Sequence, residues 1–272
     1  FGNVPITTEN DPVGFFYPEQ KTRAEVFAFV ESELKDLDSS LAALKRDEYG
    51  RVDKTAAKFL LAQVYLNAKV YTGTARNDEA ATLCNEIITS SGYTFATGAY
   101  GKLFSADNNT NGSQNEIIFP IVGDGNAIRA TGGGMSFIMH ASIGGSMDAA
   151  SRGMDGGWQG IRTRREFVNL FPDETATGDK RGTFYTNGQS KDIKNVGTFT
   201  DGYAVTKYIN KKADGSAAQR NDIPDIDFPM FRLTDAYLMY AEATLRGATT
   251  GNVATALGYI NQIRTRAGAT TI

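Results

Sequence analysis

Apolar residues that step by three and four positions decide what this chain can fold into before any other feature does. In FRLTDAYLMYAEATLRG, residues 231–247, Leu233, Tyr237, Tyr240 and Leu245 recur near the helical period. Ala236, Ala241 and Ala243 lie between them and let a partner helix approach closely. Gly247 supplies a left-handed stop. Asn252 can then cap a second helix whose apolar stripe is Val253, Ala256, Leu257, Ile260, Ile263 and Ala267. The spacing predicts helices over 232–246 and 252–267, joined as an antiparallel hairpin.

The same pattern stands earlier in the chain. Thr22 with Glu25 forms a capping box, and Phe27, Val30, Leu34, Leu37, Leu41 and Leu44 predict a helix over 22–45. Asp53 can cap a helix over 54–71, with Ala57, Leu60, Leu61, Val64 and Ala68 inward and Gly73 at its end. Asn77 opens one over 78–91, with Ala80, Leu83, Cys84, Ile87 and Ile88 inward, and 54–91 reads as a second hairpin. The lone cysteine, Cys84, is read as a small buried hydrophobe, and no internal disulfide can form. Pro5, Pro12 and Pro18 keep residues 1–20 out of helix. The fold class is mostly α, with tetratricopeptide-like helical hairpins. Such hairpins bury their faces against neighbours, so further helices are expected beyond a sequence that reads as a piece of a longer protein.

Between the hairpins the texture changes. Residues 123–160 hold eleven glycines in 38 positions, which predicts a long Gly-rich irregular insertion without regular elements. A few short strands are expected around it: EIIFPIV at 116–122, with Pro120 marking an edge, and segments near 202–210. A short helix is expected near 162–171, with Arg162, Arg164 and Arg165 on a solvated face.

Chemistry is narrowed mainly by exclusion. A net charge of −3 argues against a nucleic-acid binder, and no apolar run is long enough for a membrane helix. With His140 as the single histidine, a His-dependent triad and a multi-His metal site are nearly excluded within this chain. His140 itself is read as a hydrogen-bonded loop residue. Asp107, Asn109 and Asn111, followed by Gly112 and then Glu116, match the first half of a calcium loop, although Ile118 stands where the twelfth-position glutamate belongs. Ca2+ is the one cofactor this spacing suggests, and none is otherwise required. Trp158, the only tryptophan, lies in DGGWQG, where flanking glycines can display it as a stacking platform for a sugar ring or let it plug the core.

Taken together, these segments resemble the SusD/RagB family. FGNVPITTE, GRVDKTAAKFLLAQVYLNAKVYTG with SGYTF after it, NEIIFPI and GGWQGIRTRREFVNLF follow the family's order, as do Asp179, Lys180 and Arg181, then DGYAVTKY and FPMFRLTDAYLMYAEA. LFSADNN followed by NEII, and a glycine run leading to a GW dipeptide, are most similar to the starch-utilisation members. The resemblance implies a partial SusD-like domain: a helical scaffold over 21–92, an irregular ligand-binding region over 93–229 and a helical hairpin over 230–268. It implies a non-catalytic outer-membrane lipoprotein that captures an oligo- or polysaccharide, here a starch-like α-glucan, and delivers it to a SusC-like TonB-dependent transporter. Trp158 matches one aromatic of the family's sugar-binding arc, and Thr131 stands where those members carry a tyrosine. Phe137, Met135 and the backbone of residues 132–134 are the expected neighbours. The family's lipidated cysteine is expected outside this sequence, because Cys84 lies within a predicted helix. The alternative is a helical-repeat scaffold for protein docking with no functional glycan site.

Overall fold

Fifteen α-helices and β-strands follow one another along the described residues of the computed structural model, which are 2–41, 44–45, 48–128, 134–172, 174 and 177–272. The first six are β1 (Val4–Pro5), β2 (Gln20–Lys21), α1 (Arg23–Ser40), α2 (Lys54–Leu66), α3 (Ala68–Thr72) and α4 (Asn77–Ser90). Then come β3 (Ile117–Ile121), α5 (Gly134–Ser142), β4 (Arg162–Thr163), α6 (Arg165–Val168), β5 (Phe184–Tyr185) and β6 (Tyr203–Val205). β7 (Phe228–Arg232), α7 (Leu233–Leu245) and α8 (Val253–Arg266) close the chain. Two units divide these elements, Phe1–Tyr93 with Leu233–Tyr259, and Thr94–Arg232 with Ile260–Ile272.

The first unit is helical. Thr22 and Glu25 close the capping box expected at the start of α1. The helix stops at Ser40, short of 45, because the Ser39 and Ser40 hydroxyls both donate to the Asp36 carbonyl, at 2.9 and 3.4 Å, and compete with the helical ladder. Asp53 caps α2 by accepting from the Ala56 amide at 2.9 Å. The helix expected over 54–71 is divided at Asn67, whose side chain donates to the Gln63 carbonyl at 3.0 Å. At the start of α2, Asp53 accepts from the Tyr93 hydroxyl just beyond α4, and Lys58 pairs with Glu86 within α4. The two helices therefore run antiparallel. Asn77 at the start of α4 donates to the Arg246 carbonyl at 2.9 Å, so α7, which ends there, runs antiparallel to α4 as well. Asn252 caps α8 by accepting from the Thr255 amide at 2.9 Å, and Tyr259 stacks on Tyr237 at 4.4 Å. Leu245, expected inward, is 77% exposed. It lies five positions past Tyr240, off the stripe, and Thr244 is buried in its place. Cys84 is fully buried, and burial pushes its thiol up to about 12.

The second unit is built from loops, short strands, α5, the short α6 and the end of α8. β3 pairs antiparallel with β7, and β6 lies between β4 and β5. A core of Leu103, Phe104, Met135, Met139, Met154 and Ile226 fills it. Irregular backbone has no ladder to satisfy its polar groups, so buried side chains do so instead. Asn108 donates to the Leu103 and Asp227 carbonyls and accepts from the Asp227 amide. Asp225 accepts from the Gly125 and Gln219 amides. Residues 123–160 were expected to hold no regular element, yet α5 forms within them. Past the glycine run, GMSFIMHAS places Met135 and Met139 one helical turn apart on the core side, which fixes the helix by burial.

Candidate functional site

Helix α5 and the loop behind it create an exposed aromatic ledge. Phe137 and His140 are three residues apart and share one face of α5. Against that face runs the Trp158 loop, fixed by backbone bonds rather than by side chains. The Trp158 amide donates to the His140 carbonyl at 2.7 Å, Gln159 to Ile143 at 3.1 Å and Ile161 to Ala141 at 2.9 Å. Gly157 permits this approach, since a Cβ there would sit 2.3 Å from the Ile143 carbonyl oxygen. The turn is sharp enough to hold Gln159 at φ 59°, the one positive φ outside glycine among the described residues.

The rings follow from that backbone. His140 stacks on Trp158 with centroids 4.6 Å apart and planes 17° apart. Phe137 meets Trp158 at 6.3 Å and 59°. Both Trp158 and Phe137 remain 49% exposed, so each keeps apolar surface toward solvent. His140 is a buried helix residue rather than the loop residue expected, and its Nδ1 lies 2.8 Å from the Ser136 carbonyl. It is the part of the ledge that sequence reading missed. The signal was present in its i, i+3 spacing from Phe137. A pyranose ring has an apolar face, and a half-exposed indole held rigidly from behind is a surface on which such a face can stack.

The other expected site residues divide. Thr131, with residues 132 and 133, lies outside the described residues. Met135 is 6% exposed and packs in the core, because its position on α5 turns it away from the ledge. Asp107, Asn109, Asn111 and Glu116 do not converge as cation ligands. One Asp107 carboxylate oxygen accepts from Ser105, Asn111 and the Ala213 amide, at 2.7, 3.1 and 2.9 Å. Asn111 donates from its side-chain nitrogen to Asp107, and its side-chain oxygen accepts from the Ser113 amide. Glu116 is wholly buried between Arg232 and Arg266 and also accepts from the Ala96 amide. This oxygen set is already spent, so it does not fit a hard cation. Among the described residues no cluster of His, Cys, Asp and Glu could hold a metal.

The SusD family model matches residues 173–272. The chain is 31% identical to the starch-binding protein SusD of Bacteroides thetaiotaomicron, over 99% of this chain and 55% of that protein. It is similar to a SusD superfamily protein from Parabacteroides distasonis at 26% identity and a TM-score of 0.74, covering 100% of this chain and 56% of the other. It shares its fold with surface glycan-binding protein A from Bacteroides thetaiotaomicron, whose structure contains laminarihexaose. That match has 21% identity and a TM-score of 0.68, and covers 96% of this chain and 58% of the other. The chain thus spans a little over half the length of the relatives it matches.

Proposed function

The chain belongs to the SusD/RagB family, whose proteins bind carbohydrate without catalysis, and from that premise we propose that it captures a glycan at the cell surface. The observation that carries this reading is the ledge of Trp158 and Phe137, half-exposed and braced from behind by His140. The starch-binding relative favours a starch-like α-glucan as the ligand. On this reading residues 93–229 are the ligand-binding region, and the helices of 21–92 and 230–268 are a tetratricopeptide-like scaffold. The whole protein is lipid-anchored in the outer membrane and passes its glycan to a SusC-like TonB-dependent transporter. Thr131 and the backbone of residues 132–134 are kept as glycan contacts on the strength of the family resemblance.

Stacking contacts are individually weak, so a Kd between about 1 μM and about 1 mM is expected. Affinity electrophoresis in gels containing amylopectin tests the site. Trp158→Ala should lose most of the retardation and Phe137→Ala part of it. The stability cost of Trp158→Ala should be only about 1–2 kcal/mol, because half of the side chain is already in water. A Trp158→Ala protein that is retarded like wild type refutes the site. The docking-scaffold reading draws on a different observation, that Val13, Phe15 and Tyr17 are 106, 87 and 86% exposed. It becomes the better account if the wild-type protein is retarded by no polysaccharide.

A further inference from the structure

A second concave surface of the same unit lies apart from the ledge and has different chemistry. It is a cleft of about 1730 Å³, and Trp158 is not part of its wall. Among the described residues, six arginines and two lysines line it against one carboxylate, Asp179. This concentration of positive charge stands on a chain whose formal net charge is −3.

Ion pairing cancels only part of it. Arg181 is held by Asp179, Arg266 by Glu116 and Arg164 by Glu166. Arg152 and Arg162 instead spend their donors on backbone carbonyls, Arg152 on Thr206 and Tyr208, Arg162 on Val196, Thr198 and Asp201. A carbonyl orients a guanidinium without neutralising it. Lys180 and Lys207 are exposed on the same wall.

The wall also carries an apolar platform. Phe167, Phe171 and Phe184 meet edge to face, with centroids 5.4, 5.6 and 6.1 Å apart, and Phe167 is 50% exposed. A flat apolar ring beside fixed cations is what a sugar bearing a negative group requires. The pyranose face packs on the phenyl, and the anion accepts charge-assisted hydrogen bonds. We propose that this cleft binds an anionic saccharide, with its ring on Phe167 and its carboxylate or sulfate on the cationic wall.

Calorimetry on the full chain with oligogalacturonate, a sulfated oligosaccharide and neutral maltohexaose tests it. At least one anionic oligomer should bind at least tenfold more tightly than maltohexaose at low salt. That advantage should shrink severalfold between about 0.05 M and about 0.5 M NaCl. Whichever oligomer binds identifies the anion as carboxylate or sulfate. The double variant Lys180→Gln with Lys207→Gln should weaken that binding about tenfold, with a melting curve run beside it because the Lys207 ammonium lies 4.8 and 5.3 Å from the centroids of the Phe104 and Tyr208 rings. Phe167→Leu should weaken it severalfold without changing the salt response. Trp158→Ala should leave it unchanged, which separates this cleft from the ledge whatever becomes of the α-glucan reading. Equal affinity for charged and neutral oligomers overturns the proposal, as does equally effective competition by polyglutamate, which would mean a cationic surface with no preference for sugar.

Discussion

Glu116 shows how one buried residue can be misread from its neighbours in sequence. It follows an Asn-rich turn and so suggests a ligand, yet its partners Arg232 and Arg266 stand 116 and 150 residues away. Removing the carboxylate takes away the buried anion that faces Arg266, itself 4% exposed. Glu116→Gln should therefore cost about 3–5 kcal/mol, measured by urea unfolding. Glu116→Leu combined with Arg266→Met should cost less than the sum of the two single changes, because the second change removes the cation that faced the carboxylate. With these oxygens spent, chelator and millimolar calcium should leave the melting temperature unchanged. A calcium-dependent rise would show that the turn reorganises around the ion. Cys84 gives a second test at this scale. A thiol raised from 9.0 to about 12 by burial is a poor nucleophile at pH 8, and its thiolate fraction falls roughly a thousandfold. A disulfide reagent should modify it only after the protein is unfolded.

At the scale of elements, the caps govern both stability and its pH dependence. Asn252→Ala should cost about 1 kcal/mol through loss of the α8 cap, with the denaturant slope unchanged, and Asn252→Asp should restore it. Asp78, in the first turn of α4, accepts from the Thr250 amide and from the hydroxyl and amide of Thr249. These bonds, the Thr250 amide foremost, hold its carboxyl below the usual 3.8. A lowered folded-state value means that the stabilisation is complete above the unfolded value and is lost as pH falls through the folded one. Asp78→Asn should thus lower the melting temperature at pH 7, and the difference from wild type should shrink as pH falls below 3.8. The helices were legible because their signals are local: the Thr22 box, the Asp53 and Asn252 caps and the apolar stripes each lie within a few residues. Their errors were local too, at Ser39, Ser40 and Asn67, where a side chain took a carbonyl that the ladder needed.

For the molecule as a whole, the candidate site was legible only as chemistry and not as geometry. Trp158 was recognisable from its glycine flanks, but its orientation depends on carbonyls of residues 140–143 that local pattern does not assign to it. The exposure of Phe137 and the burial of Met135, two positions apart, were decided by how α5 lies on the core. The distribution of charge follows the same logic and yields a last prediction. The chain carries 28 basic and 31 acidic residues, yet one cleft gathers eight of the cations, so acidic groups predominate over the rest of the chain. At the ledge, the Asp155 carboxylate lies 3.9 Å from His140 Nε2 and is half exposed. Among the described residues the rings that face solvent at the ledge, Trp158 and Phe137, carry no charge, and ring stacking draws on apolar contact rather than on Coulomb attraction. Retardation by amylopectin should therefore hold steady between about 0.05 M and about 0.5 M NaCl, conditions that remove most long-range electrostatics. A steep loss over that range would mean that α-glucan is held by the cationic wall and not by Trp158.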